Sequence, residues 1–176
     1  MHIFLQGRRN IGKSTVILRT LEMLLPRRPL VLGGFFTWNG GKNDPHVYMK
    51  PARSGQEHEI FRLASYDAVK GGLIGNIRAF DVDGVRLLNE SRGSDLIIID
   101  ELGFLESSAG VFKQAVLDTL EGNAPVFGVL RLGDVPWHRS IRRNPSVTIF
   151  DVDESTREAL PRELAARLMD AMQEQA

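Results

Sequence analysis

Gly7-Arg8-Arg9-Asn10-Ile11-Gly12-Lys13-Ser14 meets the phosphate-binding loop spacing G-x-x-x-x-G-K-[ST] at every defined position, and its flanks decide the fold. Before it, His2-Ile3-Phe4-Leu5-Gln6 reads as a short buried strand. After it, Ile17, Leu21, Leu24 and Leu25 recur at helical spacing from Ser14 to Leu25. Strand, glycine loop and helix form an anion cradle: loop N–H groups curl inward and the helix dipole points its positive end at the same place. Gly7 and Gly12 let phosphate oxygens approach the main chain. Lys13 reaches the β- and γ-phosphates, and the Ser14 hydroxyl is placed to ligate Mg²⁺. Arg8, Arg9, Asn10, Ile11 and Thr15 complete the nucleotide-binding stretch, mainly through their backbones.

An NTP loop needs an acid across from it. Leu96-Ile97-Ile98-Ile99-Asp100 is a continuous apolar run ending in a carboxylate, as in a strand buried on both faces of a parallel sheet. Ligand crevices in such sheets lie outside the carboxyl ends of the strands. Asp100 is therefore assigned to Mg²⁺, through water, and Glu101 to orienting and deprotonating the attacking water. Glu106 either joins the site or favours the N-terminus of the next helix. Arg139, Arg142 and Arg143 are either a lid that offsets transition-state charge or, the favoured reading, a solvated face. Trp137 either stacks on a base or packs in a core or interface. His2, His46, His58 and His138 lack metal-like spacing and read as structural or surface residues.

The remaining chain alternates strand and helix. Extended segments are expected from Leu30 to Trp38, over Pro125–Arg131 and over Val147–Phe150, with helices near 84–92, 108–121 and 137–143. Leu160, Leu164, Leu168 and Met172 mark a C-terminal helix with one apolar stripe. Between Lys42 and Gly75, His46–Met49 and Glu59–Leu63 read as two short strands of an antiparallel excursion. The expected fold is α/β and three-layered, a P-loop NTPase domain over 1–176, with a mostly parallel central sheet and that excursion at 42–75.

The 176 residues suffice for one core, and the formal net charge of zero gives no generic attraction to nucleic acid or anionic membrane. The absence of cysteine excludes disulfides and thiolate metal sites. No apolar run approaches spanning length and no signal segment is visible, so a cytoplasmic protein is expected.

Four stretches resemble the small P-loop nucleoside-triphosphatases, the family of the human cancer-related enzyme and its thermophilic homologues. They are Gly7–Thr15, Gly34-Phe35-Phe36-Thr37, Ile99-Asp100-Glu101-Leu102-Gly103-Phe104-Leu105-Glu106, and the tail from Val147 to Leu164. The resemblance implies Mg²⁺-dependent hydrolysis of ATP, GTP, CTP and UTP to diphosphate and phosphate with weak base selectivity. Trp38-Asn39-Gly40-Gly41 stands where that family usually carries Glu-Val-Arg, and Ile74–Ile77 matches only partly. A P-loop kinase of nucleosides, nucleotides or RNA ends, and a nucleotide-gated adaptor with negligible turnover, are the alternatives at this level.

Overall fold

The computed structural model describes residues 1–56 and 58–173. Eight strands form one sheet: β1 His2–Gln6, β2 Leu32–Asn39, β3 His46–Pro51, β4 Phe61–Asp67, β5 Gly72–Gly75, β6 Leu96–Leu102, β7 Val126–Leu130 and β8 Val147–Asp151. Their order is β5-β4-β3-β2-β6-β7-β1-β8. β2, β6, β7, β1 and β8 run parallel, while β3, β4 and β5 add antiparallel to the β2 side as a wing. The architecture is the expected one, with the antiparallel part where 42–75 placed it.

Helices cover both faces. Helix α1 (Lys13–Leu24) and helix α5 (Leu160–Gln173) pack with Ile3, Leu5, Ile98 and Val129 on one face. On the other, α2 (Val85–Glu90) and α3 (Gly110–Leu120) enclose Phe4, Phe35, Ile97, Ile99 and Phe112. A fifth helix, α4 (His138–Arg143), lies beside β8. The central strands read as unbroken apolar runs because both faces are covered. The stripe Leu160, Leu164, Leu168, Met172 is buried as the spacing requires.

Three details depart from the sequence reading. The wing has three strands rather than two, because Gly72–Gly75 is too short to show a period and β4 continues through the polar Ser65 and Asp67. The helix expected from Gly84 starts earlier, as a π-helical turn over Ala79–Gly84 that runs into α2. Asn76 Oδ1 accepts the Ala79 N–H at 3.2 Å, and Asp81 Oδ1 caps α3 by accepting the Phe112 N–H at 2.9 Å. Finally, β2 begins at Leu32 rather than Leu30; the Val31 N–H is taken by the Asp95 carboxylate at 2.8 Å.

Where β2 meets β6 the backbones approach closely. Gly34 has φ +79°, and a Cβ there would lie 1.9 Å from the Ile98 carbonyl oxygen. Its N–H is held by Ser91 Oγ at 2.6 Å. Gly34→Ala is expected to destabilise the fold by about 3 kcal/mol or more, because both the backbone conformation and the space are closed to a side chain. Urea denaturation of the variant measures this; a loss below about 1 kcal/mol would contradict the packing described.

Candidate active site

Parallel strands carry their functional residues at one edge, since all their carboxyl ends point the same way. β1 delivers the glycine loop, β7 leads into Arg131, β6 delivers Asp100 and Glu101, and β2 ends at Thr37–Asn39. A cleft of about 780 Å³ runs along this edge, lined by Gly7–Asn10, Gly12–Thr15, Thr37–Asn39, Asp100, Glu101, Gly103–Glu106, Arg131 and Leu132, and by apolar wing residues.

The loop has the shape its glycines allow. Gly12 takes φ +107° at the start of α1, and Asn10 takes φ +61°. A Cβ on Gly7 would lie 2.4 Å from the Val152 carbonyl oxygen, so the loop is seated against the segment after β8. The Lys13 ammonium crosses the loop and donates to the carbonyls of Gly7 at 3.1 Å and Arg8 at 3.0 Å. Ile11 turns away from the cleft and packs with the α1–α5 core.

The acids meet the loop directly. Ser14 Oγ donates to Asp100 Oδ1 at 3.3 Å, joining residues 86 apart in sequence. Asp100 is 2% exposed. Burial pushes its carboxyl up to about 7, and nearby Glu101 adds to this, while the Ser14 hydroxyl and Lys13 oppose it. A regular strand would send Asp100 and Glu101 to opposite faces. Here the ladder with β7 shifts register between Ile99 and Leu102. Three residue steps on β6 face two on β7, a bulge that brings both acids to the cleft. The Glu101 N–H donates to Thr37 Oγ1 at 3.1 Å, tying this end of β6 to β2.

Hard oxygen donors fit a hard divalent cation. Ser14 Oγ and Asp100 Oδ1 face one spot beside the loop, and among the described residues no group of three His, Cys, Asp or Glu could hold a metal. That donor set fits Mg²⁺ taken with nucleotide, where one or two protein oxygens act with phosphates and water.

Glu106 lines the cleft but is 2% exposed and accepts the Gly103 N–H. It closes the turn after β6, and burial raises its carboxyl to about 7. The Arg139, Arg142 and Arg143 cluster does not line the cleft. Arg139 pairs with Asp134 in the open, Arg142 donates to Gln6 Oε1 at 2.8 Å, and Arg143 is exposed. Trp137 lies outside the lining too; its indole N–H donates to the Gly103 carbonyl at 3.0 Å, a packing role. His2 is buried between Leu120 O and the Val126 N–H, and His138 is buried beside Trp137.

Sequence reading missed Arg131. Its guanidinium lies 4.6 Å from the centre of the Phe104 ring, at the mouth of the cleft. Gly103 leaves room for it: a Cβ there would sit 3.3 Å from Arg131 Cδ. The signal was present, since Arg131 follows the buried strand β7 as Asp100 follows the apolar run of β6.

The fold and the family are shared with known proteins. The NTPase family model matches residues 2–165. The nucleoside-triphosphatase THEP1 of Thermotoga maritima is 28% identical over 173 residues, covering 96% of this chain and 95% of the relative. THEP1 of Sulfolobus acidocaldarius is 30% identical over 171 residues, covering 94% and 92%. Among solved structures, THEP1 from Aquifex aeolicus superposes with a TM-score of 0.78 at 22% identity, covering 96% and 99% of the two chains. A human cancer-related nucleoside triphosphatase gives 0.75 at 21% identity, covering 96% and 97%.

The raised Glu106 carboxyl has a consequence for stability. Its folded-state value lies above the ordinary 4.5, so its contribution is fully present below about pH 4.5 and is lost as pH rises through about 7. Glu106→Gln keeps the acceptor without the charge. It should exceed wild type in stability by roughly 3 kcal/mol at about pH 8.5 and lose that advantage at about pH 4. Denaturant titrations at both pH values measure the gap; a pH-independent gap would refute the assignment.

Proposed function

The chain belongs to the NTPase family, and from that membership we propose that it hydrolyses nucleoside triphosphates to diphosphate and phosphate, with Mg²⁺ and weak selectivity for the base. The observation that carries this reading is the contact of Ser14 with Asp100, which joins the phosphate loop to the acid strand. The names of its relatives, nucleoside-triphosphatases from several organisms, point the same way. A cytoplasmic location belongs to this reading; among the described residues no helix is long and apolar enough to cross a membrane.

In the proposed mechanism the backbone of Gly7–Thr15 wraps the phosphates at the N-terminus of α1. Lys13 exchanges its two loop carbonyls for oxygens of the β- and γ-phosphates. Ser14 and Asp100 would hold Mg²⁺, which neutralises charge on those phosphates when bound. Glu101 orients a water in line with the bond to the leaving diphosphate and accepts its proton as the new oxygen–phosphorus bond forms. Arg131, at the carboxyl end of the strand between the loop and the acids, leaves the Phe104 face to meet the terminal phosphate. It takes the role that the sequence had offered to Arg139, Arg142 or Arg143. Weak base selectivity follows from a site built on phosphate contacts, which every nucleoside triphosphate offers.

Phosphate release from ATP, GTP, CTP and UTP tests the reading. Rates within about tenfold of one another, lost with chelator and in Lys13→Ala, are expected. Activity that persists without divalent metal would contradict it. Glu101→Gln should retain nucleotide binding and lose about a hundredfold or more in kcat. Arg131→Ala should lower kcat about tenfold or more with little change in diphosphate affinity. Single-turnover kinetics with parallel calorimetry separate the two effects; an unchanged kcat in either variant removes that residue from the mechanism.

A further inference from the structure

The cleft extends well past the phosphate site. Beyond Thr37 it runs under the wing into an arm lined by Val47, Leu63, Leu73, Phe80 and Leu105. All five belong to or pack against the core on the α2–α3 face, whereas α1 packs on the opposite face of the sheet. In the sheet order, β3 lies two strands from β6 and β5 lies four. At about 4.8 Å per strand the arm is roughly 10–19 Å from the acids along the edge.

That position separates the arm from the nucleotide. With the terminal phosphates between Lys13, Ser14 and Asp100, the sugar and base lead away over Ser14 and Thr15 on the α1 side. The arm opens on the other side of the acids. Attack by water requires no apolar chamber there.

We infer that the wing arm is a binding site for a second molecule, an uncharged ligand with an apolar, aromatic-sized body, held beside the triphosphate. This rests on the nucleotide orientation proposed above. The lining selects the class: five aliphatic or aromatic side chains offer area and dispersion, and none could pair a charge, so a charged ligand would lose its hydration without compensation. Thr37 and Asn39 line the same cleft, and their polar side chains orient one polar end of the ligand toward the acids. The arm is prebuilt. A Cβ on Gly75 would lie 2.1 Å from the Leu105 carbonyl oxygen, so the edge strand β5 and the turn after β6 are pressed together at its wall.

The neutral dye N-phenyl-1-naphthylamine is a suitable probe, titrated by fluorescence against the full chain with and without saturating Mg²⁺ and adenylyl imidodiphosphate. One dye should bind per chain, with affinity changed by less than about threefold by the nucleotide analogue. Leu73→Asp, which puts a charge in the arm, and Leu73→Trp, which fills it, should each weaken the dye by about tenfold or more while calorimetry shows analogue affinity unchanged. Mutual displacement of dye and analogue would overturn the inference, because the arm would then take the base. Absence of dye binding, or dye binding indifferent to both Leu73 variants while they still bind the analogue, would overturn it as well. If the dye binds in a Leu73-dependent way but the analogue does not bind wild type, the nucleotide reading fails and the arm remains a ligand site.

Discussion

Everything at the carboxyl edge depends on bringing a loop after residue 6 against an acid at residue 100. The link is a single hydrogen bond from Ser14 to Asp100, and the parallel sheet makes it possible. β1 and β6 are separated only by β7, so their carboxyl ends lie about 10 Å apart. Loop and acid then face each other without any long excursion of the chain. β7 between them contributes Arg131, and β2 on the far side contributes Thr37, whose hydroxyl accepts the Glu101 N–H. Four strand ends therefore converge on one volume, each anchored by a buried apolar strand behind it.

Burial gives that convergence its chemistry. Asp100 sits where water is nearly excluded, and its carboxyl is pushed up to about 7. An acid in this state is uncomfortable as a bare anion and gains much from a divalent cation beside it. Glu106 shares the burial but answers it differently, by accepting a backbone N–H and closing a turn. Two glutamates five residues apart in one motif thus divide into one acid open to the cleft and one brace that shapes the turn beside it.

Much of this was legible in the sequence because glycine spacing and apolar runs have direct geometric meanings. The loop, the acid strand, the two-face burial of β6 and β7 and the C-terminal stripe all follow from period and composition. The wing was half legible: β3 alternates, but β4 crosses polar residues and β5 is four residues long, so pairing rather than pattern defines them. The bulge that lets both Asp100 and Glu101 face the cleft has no sequence period at all. Arg131 was overlooked because a lone arginine after a strand has no pattern of its own, while the denser cluster at 139–143, read foremost as a solvated face, lies outside the cleft lining. Trp137 and Glu106 show the converse: chemically eligible side chains whose hydrogen bonds to and from Gly103 commit them to packing.

The central claim is that the terminal phosphates and their cation lie between the loop of β1 and the acids of β6. Crystals grown with Mn²⁺ and adenylyl imidodiphosphate test it most directly, because Mn²⁺ scatters anomalously. An anomalous peak bridging Ser14 and Asp100, with the imidodiphosphate group in the curve of Gly7–Thr15, is the expected result. A peak away from Ser14, or Asp100 turned from the nucleotide with the phosphates held by other residues, would contradict it.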